Sequence, residues 1–315
     1  MKIVFLDAHT TNPGDISFGE LAMKFNFTAY DRTEPKDLLS RAEGCEILII
    51  NKFKITRDHI KSLPQVKLIC VAATGYNNVD VVAAKELGVV VCNVRNYATK
   101  SVSQHIFASL LSVLNRSQFY AEEVRLGRWS ASPDFCFYDH SINQLDSMTL
   151  GVYGLGDIGQ EVARIGLSFG MSVIASSRTV KSKNGIEIVS REELFRMSDI
   201  LTLHVSLNED TIHCVNKQSL DSMKVNAILI NTGRGALIQE DDLSVHLQAN
   251  EGFTAILDVL TEEPPSKQNP LIQHRNCHIS PHIAWASIQA RATLICKLYE
   301  IISEYQNGRC INVVS

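Results

Sequence analysis

Short apolar runs separated by amphipathic stretches recur along the chain. In the first third these runs are Ile3–Leu6, Phe27–Tyr30, Ile47–Ile50, Leu68–Ala72 and Val89–Val91. Between two of them, Val79–Leu87 has helical periodicity. Near-continuous apolar strands that alternate with helices are typical of a parallel sheet covered on both faces. The first third therefore predicts an α/β domain with a parallel sheet.

The same pattern starts again near residue 149 and predicts a second α/β domain. Its apolar runs are Thr149–Tyr153, Ser172–Ser176, Ile200–Val205, Ala227–Asn231, Thr254–Val259 and His278–Ile279. Helical spacing in Ser103–Ser117 predicts a long helix that joins the domains. A second helix is predicted after His282, with Ile288, Ala292, Ile295, Leu298 and Ile302 on one face and a stop at Asn307-Gly308. The tail Cys310–Val314 could add a strand or a cover to the first domain. We predict one domain from residues 1–98 plus 289–315, and the other from residues 99–288.

The segment Gly127–Asp146 does not fit either periodicity. It is irregular and aromatic, with Trp129, Phe135, Phe137 and Tyr138. Two interpretations stay open at this point: a packed loop, or an arm that contacts a partner subunit, because aromatic residues are enriched at interfaces.

Composition narrows the classes of function. The 315 residues are 45% hydrophobic and 20% charged, with a formal net charge of −4, which is typical of a globular protein. No basic stripe or polybasic cluster predicts a nucleic-acid or membrane partner. The eight scattered cysteines form no C-x-x-C pair, and we interpret them as reduced thiols of a cytoplasmic protein. Met1–Asp7 is too short for a signal peptide, no apolar run would span a bilayer, and no metal-ligand spacing such as H-E-x-x-H occurs.

A glycine-rich turn lies between a predicted strand and a predicted helix. The turn reads Gly154-Leu155-Gly156-Asp157-Ile158-Gly159 and follows Thr149–Tyr153 at once. The first glycine permits a tight turn, the second lets a pyrophosphate approach the backbone, and the third lets helix and strand pack closely. The N-terminus of the helix then offers unpaired N–H groups to the phosphates. This turn predicts a dinucleotide site.

The end of the next strand bears on the choice of dinucleotide. An acidic residue there would accept a hydrogen bond from the adenine ribose and select NAD. Ser177 and Arg178 occupy this place, with Lys181 and Lys183 close behind. Serine does not repel a 2′-phosphate and arginine can pair with one, although the cations could equally form a solvated loop. We expect NAD or NADP as cofactor, and favour NADP or dual use.

Three later residues together predict a reaction. Arg234, Glu263 and His282 each lie at or just beyond the carboxyl end of a predicted strand, the edge where open α/β sheets bind ligands. A guanidinium can hold a substrate carboxylate in bidentate fashion. Histidine gives and retakes protons near neutral pH, and a carboxylate bonded to it holds its tautomer and favours its charged form. Each residue alone could be a surface or core residue, and their placement downstream of the dinucleotide turn is what favours catalysis.

Over nearly its whole length the chain resembles the D-isomer-specific 2-hydroxyacid dehydrogenases. The stretches that carry the resemblance are Ala73–Asp80, Gly127–Trp129, Leu150–Gly159, Asn231–Gly235, Asp258–Pro264 and Ser280–Ser287. Two further stretches, Pro133–Cys136 and Asp258–Pro265 with Asn269–Leu271, look most like the glycerate dehydrogenase/hydroxypyruvate reductase branch.

The resemblance implies a flavodoxin-like substrate domain made from both chain ends, a Rossmann domain between them, an active site in the cleft between the two, and a homodimer. It implies that Arg234 binds the carboxylate of a small 2-keto or 2-hydroxy acid, that His282 is the acid/base and that Glu263 pairs with His282. Main-chain N–H groups at Thr74 and Gly75 would add carboxylate contacts. The remaining residues expected to line the cofactor are His204, Val205, Ser206, Thr232 and Asp258, the last at the nicotinamide carboxamide.

Some alternatives remain open. Ser177 stands where many family members have an acidic residue, and Ser206 replaces a usual proline. A phosphoglycerate, lactate or glyoxylate dehydrogenase would share all the motifs. A nucleotide-sensing corepressor on the same fold would need the glycine turn, but not the three catalytic residues together.

Overall fold

A computed structural model of the chain describes residues 1–178, 180 and 185–315. They form two compact units, Met1–Ala98 with Trp285–Ser315, and Thr99–Ala284. The second boundary falls before Trp285 rather than after residue 288 as predicted. The physical reason is that Trp285 packs on the hydrophobic core of the first unit, where its ring meets the edge of Tyr97. Lys181 and Lys183, which the sequence placed near the cofactor, lie outside the described residues.

The first unit is built on a five-stranded parallel sheet. Its strands are β1 (Lys2–Phe5), β2 (Asn26–Ala29), β3 (Ile47–Ile50), β4 (Leu68–Val71) and β5 (Val90–Asn93). The order β2-β1-β3-β4-β5 is that of flavodoxin-like folds. The predicted flavodoxin-like domain is therefore confirmed.

Helices cover both faces of this sheet. They are α1 (Glu20–Lys24), α2 (Leu38–Arg41), α3 (Arg57–Lys61), α4 (Val81–Glu86) and α11 (Ile288–Gln306), with short 3₁₀ turns at Ala8–Thr10 and Pro35–Asp37. Alternate residues of β1 enter two different hydrophobic clusters, as the period of two in a strand requires. Helix α11 belongs to one of these clusters and ends at Asn307-Gly308, as predicted. The tail pairs with β5 through Val313 and Cys92, so it adds a short antiparallel edge.

The second unit contains a seven-stranded parallel sheet. Its strands are β6 (Thr149–Tyr153), β7 (Ser172–Ser176), β8 (Ile186–Ile188), β9 (Ile200–Leu203), β10 (Ile228–Asn231), β11 (Thr254–Leu257) and β12 (Cys277–Ile279). The order β12-β11-β10-β9-β6-β7-β8 is the Rossmann order with one added edge strand. The strand order reverses between β6 and β9, and ligands bind at the carboxyl ends beside such a switch point.

The helices of the second unit differ from the prediction at one place. They are α5 (Thr99–Asn115), α6 (Ser117–Arg125), α7 (Asp157–Ser168), α8 (Arg191–Met197), α9 (Lys217–Ser222) and α10 (Glu240–Ala249), with 3₁₀ turns at Leu145–Ser147, Gly235–Leu237 and Pro270–Gln273. The predicted helix Ser103–Ser117 instead starts at Thr99 and ends at Asn115. Arg116 has φ +47°, a left-handed conformation that ends α5 and starts α6.

After α6, the chain folds back on this helix as an arm that contains Gly127–Asp146. Arg128 forms ion pairs with Asp139 and Glu123 and lies over the ring of Phe137. A small apolar cavity separates the arm from α6; it is lined by Tyr120, Val124, Trp129, Cys136, Phe137 and Ile142. Phe135 within this arm is 89% exposed.

Candidate active site

The glycine turn after β6 has the geometry of a phosphate-binding turn. Gly154 has φ +100°, and a Cβ there would lie 2.8 Å from the main-chain carbonyl of His204. A Cβ on Gly159 would lie 2.0 Å from the carbonyl oxygen of Gly154, so α7 packs directly against the end of β6. Gly156, the N-cap of α7, would in contrast meet nothing within 4 Å. This open space before the N-terminus of a 12-residue helix fits a pyrophosphate.

The other three residues of the turn support this geometry. Leu155 is buried, and Asp157 and Ile158 begin α7. The side chain of Gln160 donates to the carbonyl oxygen of Leu155 at 2.9 Å, which ties the turn to the helix.

Ser177 and Arg178 lie directly after β7, the strand beside β6. Ser177 Oγ accepts a hydrogen bond from the main-chain N–H of Val180 at 3.1 Å. Arg178 reaches Asp210 at 3.5 Å, and both side chains are 80% exposed. An exposed pair of this kind is worth little. The guanidinium is therefore held only loosely, and a stronger anion could replace Asp210.

His204, Val205 and Ser206 follow β9 on the other side of the switch point. Desolvation lowers the pKa of His204 to about 4, so its imidazole is neutral at physiological pH. Its Nε2 lies 3.0 Å from Thr202 Oγ1. The carbonyl of Ser206 accepts a hydrogen bond from Thr211 at 2.6 Å, which fixes this segment. The backbone after β9 thus forms one wall beside Gly154.

Arg234 is presented by a tight turn after β10. The buried amide of Asn231 accepts from the N–H of Gly233 and donates to the carbonyl oxygen of Arg234, at 3.0 and 2.8 Å. Arg234 Nη1 donates to the carbonyl oxygen of Gly233 at 2.7 Å, and within the described residues the guanidinium pairs with no carboxylate. Thr232 Oγ1 is buried without a hydrogen-bond partner there. The turn thus offers an unneutralised cation and an unsatisfied hydroxyl.

Glu263 and His282 meet at the carboxyl ends of β11 and β12. His282 Nδ1 lies 2.6 Å from Glu263 Oε2, and Glu263 Oε1 accepts from the N–H of Leu260 at 3.1 Å. His282 and Glu263 keep 25% and 35% of their side-chain surface exposed. The carboxylate of Glu263 thus fixes the Nδ1 side of the imidazole ring. The structure brings these two predicted residues into contact.

Asp258 fixes the backbone around His282, which has φ +53°. Its Oδ1 accepts from Ser280 Oγ and from the N–H of Ile283, at 2.5 and 2.9 Å, and its Oδ2 accepts from the N–H of Ala284 at 2.8 Å. Three donors on both sides of His282 thus converge on one buried carboxylate. The sequence interpretation missed this role and assigned Asp258 to the nicotinamide carboxamide, a contact that remains a prediction.

One more residue that the sequence interpretation missed supports the same loop. His105 Nε2, on α5, lies 3.0 Å from Ser280 Oγ. It is also 3.6 Å from Asp258 Oδ1. No motif indicates His105, because it lies far from the loop in sequence and on a helix that reads as amphipathic.

In the first unit, Thr74 and Gly75 follow β4 at the carboxyl edge of the sheet. Thr74 Oγ1 donates to the carbonyl oxygen of Val94 at 3.1 Å, and Asn93 Nδ2 donates to the carbonyl oxygen of Thr74 at 2.6 Å. Within the described part of the chain, the main-chain N–H groups of Thr74 and Gly75 donate to no acceptor. A fixed backbone with unused donors is suited to binding an anion.

The described residues contain neither a metal-binding cluster nor a helix that could span a membrane. No cluster of three or more histidine, cysteine or acidic side chains capable of holding a metal occurs in residues 1–178, 180 and 185–315. Over the same residues, no helix is both long and apolar enough to cross a membrane.

Comparisons with known proteins agree with this geometry. A family model described as "D-isomer specific 2-hydroxyacid dehydrogenase, NAD binding domain" matches residues 107–284. The chain is 36% identical to a hydroxypyruvate reductase of Blautia hydrogenotrophica, with all of both chains covered. It is also 36% identical to a glycerate dehydrogenase of Methylorubrum extorquens, over 99% of this chain and 98% of that one.

The fold is also similar to that of a solved structure. An acyclic imino acid reductase in complex with NADPH and D-arginine superimposes with a TM-score of 0.86 at 30% identity, with 100% of both chains covered. The predicted α/β fold and the predicted nicotinamide-dependent enzyme class are therefore confirmed. The chain belongs to the D-isomer-specific 2-hydroxyacid dehydrogenase family.

Proposed function

We propose that the chain reduces hydroxypyruvate to D-glycerate, or catalyses the reverse reaction, with His282 as the acid/base. The observation that carries the proposal is the Glu263–His282 pair, which lies on the same sheet and at the same edge as the open glycine turn. Hydroxypyruvate is preferred because two relatives at 36% identity over nearly the full length are named for hydroxypyruvate and glycerate.

The residues of the second unit fit a nicotinamide dinucleotide. The space in front of Gly156 would take the pyrophosphate, and the unsatisfied hydroxyl of Thr232 would find a partner near the nicotinamide end. When bound, this cofactor supplies or takes up a hydride at C4 of its ring. The neutral imidazole of His204 adds no positive charge beside Gly154.

Arg234 would bind the substrate carboxylate. Its guanidinium is planar, permanently charged and not neutralised by a carboxylate of the described residues. A bidentate contact would fix the substrate's orientation, and the positive charge would favour the negative charge that develops on the neighbouring carbonyl oxygen.

His282 would donate the proton that this oxygen requires. Glu263 holds Nδ1 and stabilises the positive charge of the imidazolium, so that Nε2 carries the proton that is transferred. In the oxidative direction, the neutral imidazole would take the proton back from the substrate hydroxyl. A nucleotide-sensing corepressor would not need this hydrogen-bonded pair.

Initial rates test the proposed substrate. NADH and NADPH would each be offered with hydroxypyruvate, glyoxylate, pyruvate and phosphohydroxypyruvate, and we expect the highest kcat/KM with hydroxypyruvate. A higher value for another of these acids would favour the corresponding member of the family. Failure to reduce any of them would contradict the proposal.

We infer that the enzyme uses NADPH at least as well as NADH, because Ser177 carries no charge and Arg178 is only loosely held. The change Ser177→Asp should raise the ratio of kcat/KM for NADH over NADPH by about 10- to 100-fold. This range follows from hydrogen bonds to charged groups of about 1.5–3 kcal/mol. Aspartate keeps the acceptor for the N–H of Val180 but repels a 2′-phosphate. The neutral variant Ser177→Asn is the matched control, and an equal ratio in Ser177→Asp and wild type would refute the inference.

We propose that the arm binds a second copy of the chain. The side chains of three aromatic residues of the arm are largely exposed: Phe135 to 89%, Tyr138 to 72% and Trp129 to 52%. A cluster of exposed aromatic side chains is typical of a surface that binds another protein. Light scattering should therefore show a dimer. Phe135→Asp should raise the dissociation constant of the dimer by at least about 30-fold, which corresponds to roughly 2 kcal/mol for a contact at the centre of the interface. Val225→Asp, at a 68% exposed site in the loop between α9 and β10, should leave the dimer intact, and a monomeric wild type would contradict the proposal.

We propose a cytoplasmic location. Cys70 and Cys92 lie opposite one another in paired strands and are both free. Burial raises the pKa of Cys92 to about 12, so it remains a protonated thiol. Such thiols are typical of proteins kept in a reducing compartment.

A further inference from the structure

The segment that carries Glu263 contains no regular secondary structure. Residues 261–269, between β11 and the turn Pro270–Gln273, form no helix or strand. Most of their side chains are exposed. Glu263 itself is bonded to His282 and to the N–H of Leu260. A segment of this kind needs an outside anchor if its carboxylate is to stay in one place.

Glu240 supplies contacts at both ends of this segment. It is the first residue of α10, and its Oε1 accepts from the main-chain N–H of Thr261 at 2.6 Å. Its Oε2 accepts from Asn269 Nδ2 at 2.7 Å. The two oxygens of one carboxylate thus join the two ends of the segment, and both bonds are charge-assisted, the stronger class.

The turn that carries Arg234 contacts the backbone at the first end of this segment. A Cβ on Gly235 would fall 2.0 Å from the carbonyl carbon of Leu260, so these backbones are in direct contact. The amide of Asn269 also caps the next turn, because its Oδ1 accepts from the N–H of Leu271 at 3.0 Å. The segment's ends are therefore fixed relative to both the Arg234 turn and the Pro270–Gln273 turn.

We propose that Glu240 is a positioning residue for the Glu263–His282 pair. Among the described residues, Glu240 forms no hydrogen bond or ion pair with Glu263 or His282; it acts by holding the ends of the segment so that Glu263 Oε2 stays at hydrogen-bond distance from His282 Nδ1. The proposal rests on the proposed function, since it assigns the catalytic proton to His282. A displacement of about 1 Å in a catalytic group can lower turnover by as much as 100-fold.

The first experiment is a double-mutant cycle on turnover. Glu240→Ala should lower kcat by about 10- to 100-fold and leave the dissociation constant of the cofactor unchanged, because α10 connects β10 to β11 whereas the glycine turn follows β6, two strands away from β10 in the sheet. In a Glu263→Gln background the same change should have almost no further effect, because the pair is already impaired. Asp241→Ala is the matched control: it removes the same charge from the same helical turn, at an exposed side chain that forms no hydrogen bond or ion pair among the described residues.

A merely structural role would give a different result. Glu240→Ala would then lower the melting temperature and cofactor binding together, and its effect on kcat would multiply with that of Glu263→Gln. Turnover of Glu240→Ala equal to that of Asp241→Ala would equally overturn the proposal. If Glu240→Ala does not fold, Asn269→Asp replaces it in the same cycle, since it keeps the acceptor for Leu271 but places a second carboxylate against Glu240.

A spectroscopic readout separates this proposal from the proposed function. In ¹⁵N-histidine-labelled protein without substrate, the hydrogen-bonded Nδ1–H of His282 should give a downfield proton resonance that Glu263→Gln abolishes. Glu240→Ala should broaden or remove this resonance, while Asp241→Ala should preserve it. An unchanged resonance in Glu240→Ala would overturn the positioning role even if wild type reduces 2-keto acids. If the wild-type enzyme reduces none of the acids but Glu240→Ala still loses the resonance, only the proposed function is overturned.

Discussion

Replacing His282 with glutamine is expected to lower kcat for reduction by about 10²- to 10⁴-fold, the usual contribution of a positioned general acid. Glutamine can donate a hydrogen bond from its amide, but it cannot release a proton to an alkoxide. The loss should therefore appear in kcat much more than in cofactor affinity. Because Nδ1 is bonded to Glu263, the proposed function assigns the transferred proton to Nε2, and this change removes that proton.

The measurement is steady-state kcat with the best 2-keto acid, together with the cofactor dissociation constant from fluorescence titration. His278→Gln is a matched control, because His278 lies on β12 four residues before His282 and is exposed. We expect wild-type turnover from this control. Wild-type turnover from His282→Gln would remove His282 from the mechanism.

The positions of most strands along the chain could be predicted from the sequence because buried parallel strands are continuous apolar runs. Strand β8 could not, since Ile186–Ile188 has only three residues with one exposed between two half-buried ones. The residue at which α5 ends was not predicted either. Arg116 adopts φ +47° without being glycine or asparagine, and no residue type signals such a break.

The residue types of the candidate site were predictable, and the family resemblance implied the contact between Glu263 and His282, but the contacts that support this pair were not predictable. A histidine and a glutamate after neighbouring strands indicated an acid/base pair, and the structure brings them to 2.6 Å. The left-handed backbone at His282 depends on Asp258, which accepts three hydrogen bonds from residues that flank it. Such convergence depends on tertiary geometry, since Asp258 is more than twenty residues away from its donors in the chain. His105 is farther still and carries no motif.

Replacing Arg234 with lysine is expected to lower kcat/KM for the 2-keto acid by about 100-fold. Lysine keeps the positive charge but offers no planar fork, and the loss of one or two charge-assisted bonds of about 1.5–3 kcal/mol each accounts for this factor. Within the first unit, Arg291 shows what such a fork does: its two terminal nitrogens bind the two oxygens of Asp15 at 2.7 and 2.6 Å. Arg234 has no such carboxylate among the described residues, so its fork would be available to the substrate.

The change should affect both kinetic constants, because the guanidinium would contact the carboxylate in the ground state and favour the charge that forms in the transition state. KM should therefore rise and kcat should fall, with the cofactor dissociation constant unchanged. Arg275→Lys, at an exposed arginine before β12, should behave as wild type. In Arg234→Ala, millimolar guanidinium should restore part of kcat. Asn231 holds the backbone of the turn, so the space that the arginine side chain occupied should remain for the added guanidinium. An unchanged kcat/KM in Arg234→Lys would contradict the bidentate contact, and the absence of rescue in a folded Arg234→Ala that still binds cofactor would contradict the role of the charge.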